Sequence, residues 1–555
     1  MNVQQLLQHF ERISEAPDAI LRLRRFILDL AVRGKLVEQD PSDEPASELL
    51  KRIAAEKARM VKAGEIKREK PFPQLSESDK AFDVPSGWEW VRLGALTMLV
   101  TSGSRDWAKY YSKDGAIFIR MGNLSKDHYR LRLDHIQRVK APSGGEGTRT
   151  RLEPGDILIS ITGDVGMLGL IPEGFGEAYI NQHTAMVRPM VEMQGRYLPE
   201  LFRSQFAQAQ FNEPQRGIKN SFRLTDVAQL LVPLPPLAEQ HRIVARVDEL
   251  MSLCDQLEAA KSEREQCRDS LVAASLQGLS QPAEEEETFR KHAHFTFNNL
   301  PRITTRAAHI KQFRQSILNL AVRGKLVPQD PSDEPAAELL KRNNAQPILV
   351  GKFPIPLNWV WANVGAVADT RLGKMLDKAK NKGVSHPYLR NLNVRWFDFD
   401  LSDLLEMRFE ECELREFELR SGDVLICEGG EPGRAAVWDE RMKGVYFQKA
   451  IHRVRFKPYV DPNFFVYALR ASSDDGRLAE QFTGTGIKHF TGVALKAYLF
   501  PLPPTAEQHR IVAKVDELMA ICDQLEAQIT ETDQYSRRFL EAVLNEALPS
   551  ASVRV

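Results

Sequence analysis

Residues 233–259 read PLPPLAEQHRIVARVDELMSLCDQLEA, and residues 501–527 read PLPPTAEQHRIVAKVDELMAICDQLEA. The copies differ only at Leu237/Thr505, Arg246/Lys514, Ser252/Ala520 and Leu253/Ile521. Apolar residues recur at alternating steps of four and three: Ile243, Val247, Leu250, Cys254 and Leu257 in the first copy, and Ile511, Val515, Leu518, Cys522, Leu525 and Ile529 in the second. Such spacing holds one stripe on one helical face and is the mark of a coiled-coil seam. A long helix written twice is therefore the expected centre of the fold.

Upstream of each copy stands a second repeat. Residues 27–52, ILDLAVRGKLVEQDPSDEPASELLKR, return as residues 317–342, with changes only at Asp29/Asn319, Glu38/Pro328 and Ser47/Ala337. Ile20, Leu23, Ile27, Leu30 and Ala31 fit a helix ending at Gly34, a residue suited to the left-handed terminator. Asp43 and Pro45 then open another helix through Leu49 and Leu50, with proline where a first turn tolerates it. Each repeat reads as a helix, a tight hook and a short helix.

Between hook and long helix, the two halves agree in pattern and hardly in letters. VPSGWEWVRLG from Val84 answers IPLNWVWANVG from Ile355, FIRMGNL from Phe118 answers YLRNLNV from Tyr388, and LEPGDILIS from Leu152 answers LRSGDVLIC from Leu419. GIKNSF from Gly217 similarly answers GIKHFT from Gly486. Short alternating apolar runs among glycine and proline predict twisted, mostly β domains with some helix.

The predicted order is a helical hook over 1–70, a variable domain over 84–236 and a long helix over 237–280; then a polar linker and second hook over 281–345, a second variable domain over 346–504 and a second long helix over 505–548. The fold class is α+β: two α/β domains separated by a pair of long antiparallel coiled-coil helices, with a pseudo-twofold internal repeat. A helix over residues 239–278 would span roughly 60 Å at 1.5 Å per residue. Paired antiparallel, two such rods would hold the variable domains at a fixed separation.

Composition narrows the class. With 43% hydrophobic and 27% charged residues over 555 positions, the chain can bury several cores. Lysine plus arginine equals aspartate plus glutamate at 75 each, so any nucleic-acid footprint has to be a local patch. No apolar run approaches membrane-spanning length and residues 1–15 are too polar for a signal peptide, so a cytoplasmic protein is expected. Cys254, Cys267, Cys412, Cys427 and Cys522 form no C-x-x-C pair and read as reduced, small core residues.

The repeated AVRGKLV, the PLPP-x-AEQHRIVA-x-VDELM lead into a helix and the G-D-[IV]-L-I turn closely resemble the specificity subunit of type I restriction-modification systems, over nearly the whole chain. The resemblance implies that each variable domain is a target recognition domain reading one half of a split double-stranded DNA sequence. It implies that the helices fix the unread spacer and that the repeats bind two modification subunits, which methylate adenine from S-adenosylmethionine. Restriction subunits using ATP and Mg complete such a complex; this chain itself is expected to carry no cofactor. A half-site reader at each end of a rigid rod also suits B-DNA, whose successive major-groove faces recur about every 34 Å.

Catalytic motifs are missing. There is no G-x-x-x-x-G-K-[ST] phosphate loop, H-E-x-x-H, cysteine-histidine metal spacing or G-x-S-x-G elbow, and neither PLPP run matches the adenine-methylating tetrapeptide of Asn or Asp, two prolines and an aromatic. GDVGMLGL at Gly163 reads as a turn after a short strand and does not match a dinucleotide fingerprint. His292 and His294 are close together but have no cysteine near. The chain is expected to be non-catalytic and metal-free.

Candidate DNA-contact residues follow from chemistry and position. Arg105, Lys109, Tyr110 and Lys113 share a polar stretch with aromatics, in which arginine could pair with guanine and the others hold phosphates; a solvated loop over Trp107 and Tyr110 is the bland alternative. Arg120 and Asn123 match Arg390 and Asn393, and a shared position suits scaffold or phosphate contact better than base selection. Lys219 and Lys488 lie on glycine-flanked loops that could grip a phosphate or be plain turns. Lys374, Lys378, Lys380 and Lys382 would form a local positive patch, unless they are simply a solvated face. Gln182 and Gln448, each just ahead of a strand, could read adenine or cap a strand end.

Near-identical hooks and helices beside divergent domains suggest one surface held constant for identical partners while the readers vary. The alternative reading is a pseudo-symmetric coiled-coil scaffold that joins two protein partners without reading DNA.

Overall fold

The computed structural model describes residues 16–68, 71–142, 144, 146–212, 222–280, 291–292, 295–296, 299, 303–348, 350–377 and 381–547. The expected linker over 281–290, with His294, Lys219, Lys378 and Lys380, lies outside them. Two compact units make up the chain, residues 1–263 with 533–555, and residues 264–532.

In the first unit, α1 (Ala19–Val32) and α2 (Ala46–Ala63) form the hook. The amide of Lys35 donates to the Leu30 carbonyl at 2.9 Å across Gly34, which sits at φ +66°. That geometry closes α1 as glycine permits. A Cβ on Gly34 would also lie 2.4 Å from Cγ of Pro85, so the glycine is needed for packing as well as for the turn. The long helix α3 (Leu237–Ser280) begins in this unit and ends in the other.

The second unit repeats the plan with α4 (Ala307–Val322), a short α5 (Ala336–Arg342) and α6 (Thr505–Ala547), which ends in the first unit. Gly324, at φ +67°, meets Pro356 at the same 2.4 Å. The second hook helix stops early because Asn343 and Asn344 follow the shared sequence, and Asn344 turns left-handed at φ 58°.

One staple in each unit joins hook, variable domain and long helix. Glu239, on the first turn of α3, accepts from Gln39 Nε2 at 2.6 Å and from the buried Trp88 indole at 2.8 Å, while Arg242 pairs with Asp43 at 2.6 Å. Glu507, Gln329, Trp359, Arg510 and Asp333 repeat the arrangement. Desolvation raises the carboxyl pKa of both glutamates, opposed by these donors. The letters QDPSDEP and AEQHR recur because they lock onto each other. Part of the identity between the repeats therefore has an internal cause, independent of any shared partner.

The seam also has a nearer neighbour than the sequence suggested. Ile243, Val247 and Cys254 belong to one buried cluster with Leu23 and Ile27 of α1, and Arg24 ties the helices by pairing with Asp255 and Glu258 at 2.6 and 2.8 Å. In the other unit Ile511, Val515 and Cys522 join Ile310, Phe313 and Ile317 of α4, with Arg314 bonded to Asp523 and Glu526. Within each unit the stripe thus packs on the hook helix.

Continued along both helices, the stripe breaks heptad register at the same place. Buried and half-buried positions run Leu257, Lys261, Glu265, Arg268, Val272 in α3 and Leu525, Ile529, Asp533, Ser536, Leu540 in α6, with two consecutive steps of four. The resulting eleven-residue step from Cys254 to Glu265 locally removes the left-handed drift that a strict heptad imposes.

Each variable domain opens and closes on one antiparallel pair, Glu89–Arg92 with Leu231–Leu234 and Val360–Asn363 with Leu499–Leu502. Entry and exit are therefore adjacent, and the domain is a side excursion between hook and long helix. Inside the first lies a four-stranded antiparallel sheet in the order Thr97–Ser102, Thr184–Pro189, Ile157–Ser160, Leu168–Leu170. Ala368–Leu372, Ile451–Phe456, Val424–Cys427 and Ala435–Val437 reproduce it in the second. A second sheet in each contains one parallel pairing, Ala116–Ile119 with Ala178–Ile180 and Val384–Leu389 with Tyr446–Phe447.

The aspartate of the G-D-[IV]-L-I turn is structural. Asp156 and Asp423, each 1% exposed, take bidentate bonds from Arg188 and Arg455 on the neighbouring strand. Cys254, Cys427 and Cys522 are buried, as expected for small core residues; Cys267 and Cys412 are exposed and correct that expectation. Among the described residues no helix is long and apolar enough to cross a membrane, and no group of three or more His, Cys, Asp or Glu could hold a metal ion.

Candidate nucleic-acid interface

The sheets deliver loops to one end of each variable domain. In the first, the Gly103 amide donates to the Asn181 carbonyl at 3.1 Å, that of Ile161 to His183 at 3.0 Å, and that of Phe222 to Ile161 at 2.9 Å. A Cβ on Gly163 would touch Met121 at 3.6 Å, which brings the loop after Ile119 into the same cluster. In the second, Lys449 donates its amide to Lys374 at 2.9 Å, Glu428 to Ala450 at 2.9 Å and Phe490 to Glu428 at 2.8 Å. Asn391 reaches Gly429 through Nδ2 at 3.3 Å. Segments far apart in sequence therefore meet because strand ends bring them there.

Most of the candidate residues lie in or beside these clusters, in different conditions. Arg105, Lys109 and Lys113 are exposed, and no ion pair with another described residue holds Arg105 or Lys113. Trp107 is buried under them against Phe118 and Tyr179, and Tyr110 packs edge-on against it while Lys109 lies over the Tyr110 ring. The aromatics carry the loop and its cations face solvent. Arg120 is half-buried and its guanidinium meets no carboxylate among the described residues, whereas its counterpart Arg390 is bonded to Asp403 at 2.6 Å.

Asn123 and Asn393 are braces. Each is buried, accepts from the amide of Arg120 or Arg390 at 2.9 Å, and donates through Nδ2 to two carbonyls further along its loop. Both amide hydrogens are already in use, so of the two expected roles, scaffold or phosphate contact, these asparagines fill the scaffold one. Lys374 needs a correction: its nearly buried ammonium is bound by Glu413 and the Arg408 carbonyl and lies over the Phe409 ring, so it adds no free charge to a patch. Lys382 and Lys488 are exposed, the latter on a loop closed by reciprocal Thr483 and His489 amide bonds at 2.9 Å.

The two glutamines are not equivalents. Ile119 pairs with Ile180 and Leu389 with Phe447, so Gln448 answers Asn181, and Gln182 answers Lys449. Both glutamines are half-buried in their loop clusters. Sequence reasoning passed over His183 and Thr162, whose side chains bond at 2.6 Å, and the exposed Lys449. An aligned pair of loops would have exposed them, since NQHT stands where QKAI does in the second domain.

Comparison with known proteins decides the family. The domain described as "Type I restriction modification DNA specificity domain" matches twice, over residues 85–264 and 356–532. This chain belongs to the type I restriction-modification specificity subunits. It is 32% identical to the type I restriction enzyme EcoAI specificity subunit of Escherichia coli, over 95% of this chain and 94% of that one. It is 29% identical to the EcoEI specificity subunit of the same organism, with the same coverage. A solved HsdS subunit from Thermoanaerobacter tengcongensis aligns at 19% identity with a TM-score of 0.46, covering 85% of this chain and 98% of that one. Within a specificity subunit the two matched regions are the two variable domains with the start of the helix that follows each.

Proposed function

We propose that this specificity subunit reads a bipartite double-stranded DNA target, one half-site with the loop cluster of each variable domain, and performs no chemistry itself. The observation that carries this reading is where the two halves agree. Shared residues such as Asn123/Asn393, Asp156/Asp423 and Trp88/Trp359 are buried in the scaffold, while the loop ends differ and carry exposed cations, Arg105, Lys109 and Lys113 in one and Lys382, Lys449 and Lys488 in the other. One platform with two unlike reading edges is what a split target requires, and local cations can hold phosphate although the chain is neutral.

The long helices, which break heptad register at the same place, pair antiparallel in this reading and set the unread spacer. Their exposed faces and the hooks dock two modification subunits, in which S-adenosylmethionine is used, and restriction subunits supply the ATP- and Mg-dependent step. Holding two weak readers at fixed spacing makes the second contact nearly intramolecular.

The test is selection of duplexes from a randomised pool by the full chain with its modification subunits. Two short fixed blocks separated by a constant gap are expected, with binding that weakens steeply as salt rises. Exchange of residues 84–236 for another reader should change one block alone. Binding indifferent to salt and sequence would favour the protein scaffold instead.

A further inference from the structure

The loop cluster of the first variable domain holds a chain of three polar side chains that the second domain lacks. His183 Nδ1 lies 2.6 Å from Thr162 Oγ1, and Gln182 Nε2 lies 2.8 Å from His183 Nε2. An amide nitrogen can only donate, so imidazole Nε2 accepts, the ring proton sits on Nδ1, and Thr162 receives it. The turn beneath is fixed separately: Asn181 Oδ1 accepts from the His183 amide at 3.1 Å and from Thr184 Oγ1 at 3.2 Å. With Nε2 as the acceptor, the ring holds the Gln182 amide with its nitrogen toward the imidazole.

We infer that His183, oriented by Thr162, is a positioning residue that locks the Gln182 amide so that its free N–H and its carbonyl oxygen face a base edge in a fixed order. An adenine presents the complementary acceptor and donor at N7 and N6 in the major groove. A reversed amide would offer the wrong pattern, so discrimination depends on the lock as well as on the glutamine. The inference rests on the proposed reading of DNA by this loop end.

Strand register supports a reading role over a folding one. Ile159 pairs with Ala185 and Ile426 with His452, so the second domain has Gly429, Lys449 and Ala450 where the first has Thr162, Gln182 and His183. The shared scaffold closes without this chain of bonds. It falls where the two domains differ, among half-buried residues at the loop end.

Duplex selection with the full chain and its modification subunits separates the outcomes. The parent yields two fixed blocks; if it yields none, the DNA-reading proposal fails before this one is reached. Given those blocks, His183→Ala should relax one A·T position of one block by roughly tenfold and leave the other block unchanged, a loss in keeping with one bidentate contact. Gln182→Ala should relax that same position. His183→Gln, which can place an amide oxygen near the imidazole Nε2 position, should restore most of the preference. Unchanged selection by His183→Ala, relaxation of different positions by the two alanine variants, or a folded His183→Gln variant that stays relaxed would each overturn the inference.

Discussion

The carboxylate of Asp29 in α1 accepts the backbone amide of Gln205 at 3.1 Å, at the start of the variable-domain helix Gln205–Asn212. The other half has Asn319 at the corresponding place. Burial pushes the Asp29 carboxyl up to about 6, against the lowering effects of the amides of Gln205 and Phe206 and of Arg33. The folded state thus holds this proton more tightly than the unfolded chain does, so its stabilising contribution is present in acid and falls as pH rises from near 4 to about 6.

Asp29→Asn should remove that slope and raise stability at pH 7.5 by roughly 1 to 3 kcal/mol, since one pKa unit corresponds to about 1.4 kcal/mol. Thermal unfolding of parent and variant from pH 4 to 8 checks it. Parallel melting curves across that range would refute the assignment.

Trp88→Phe leaves Glu239 Oε2 without its buried donor and should cost about 1 to 3 kcal/mol. Trp359→Phe should cost a similar amount through Glu507. Chemical unfolding of each single variant and of the double variant measures both, and near-additive losses are expected because the staples share no residues.

Asp156→Ala leaves the Arg188 guanidinium with only the exposed Glu153 at 2.8 Å and the Arg151 carbonyl at 3.0 Å and should destabilise the first variable domain by about 1 to 3 kcal/mol, whereas Asp156→Leu with Arg188→Met should recover most of that loss. Proteolytic cleavage within residues 84–236 reports the difference. Equal protection of the single and double variants would show that the ion pair is dispensable.

Three residues inserted after Lys261 and after Ile529 would turn the doubled step of four into an ordinary heptad alternation in both long helices. Each helix lengthens by about 4.5 Å, a little over the rise of one base pair. In duplex selection the preferred gap should grow by about one base pair with both blocks intact; an unchanged gap would mean that the helices do not set it.

The amino-acid sequence by itself determined the duplicated plan, because hook, strand pattern and helix are local or periodic signals. Gly34 and Gly324 marked helix ends, proline opened the next helix, and four-three spacing marked the long helices, all from short-range backbone and side-chain constraints. It did not show that the seam meets the hook helix, since an apolar stripe records that a face is covered and not by what.

The loop clusters were the least legible part, for the same reason. Asn123, Arg390 and Lys374 have the chemistry of DNA contacts, yet Asn123 is spent on carbonyls nine and twelve residues away, Arg390 on Asp403, and Lys374 on Glu413. His183 gained a role only when strand register brought Thr162 to its ring. Whether a polar side chain is free or consumed depends on partners distant in sequence, and only the tertiary structure decided that.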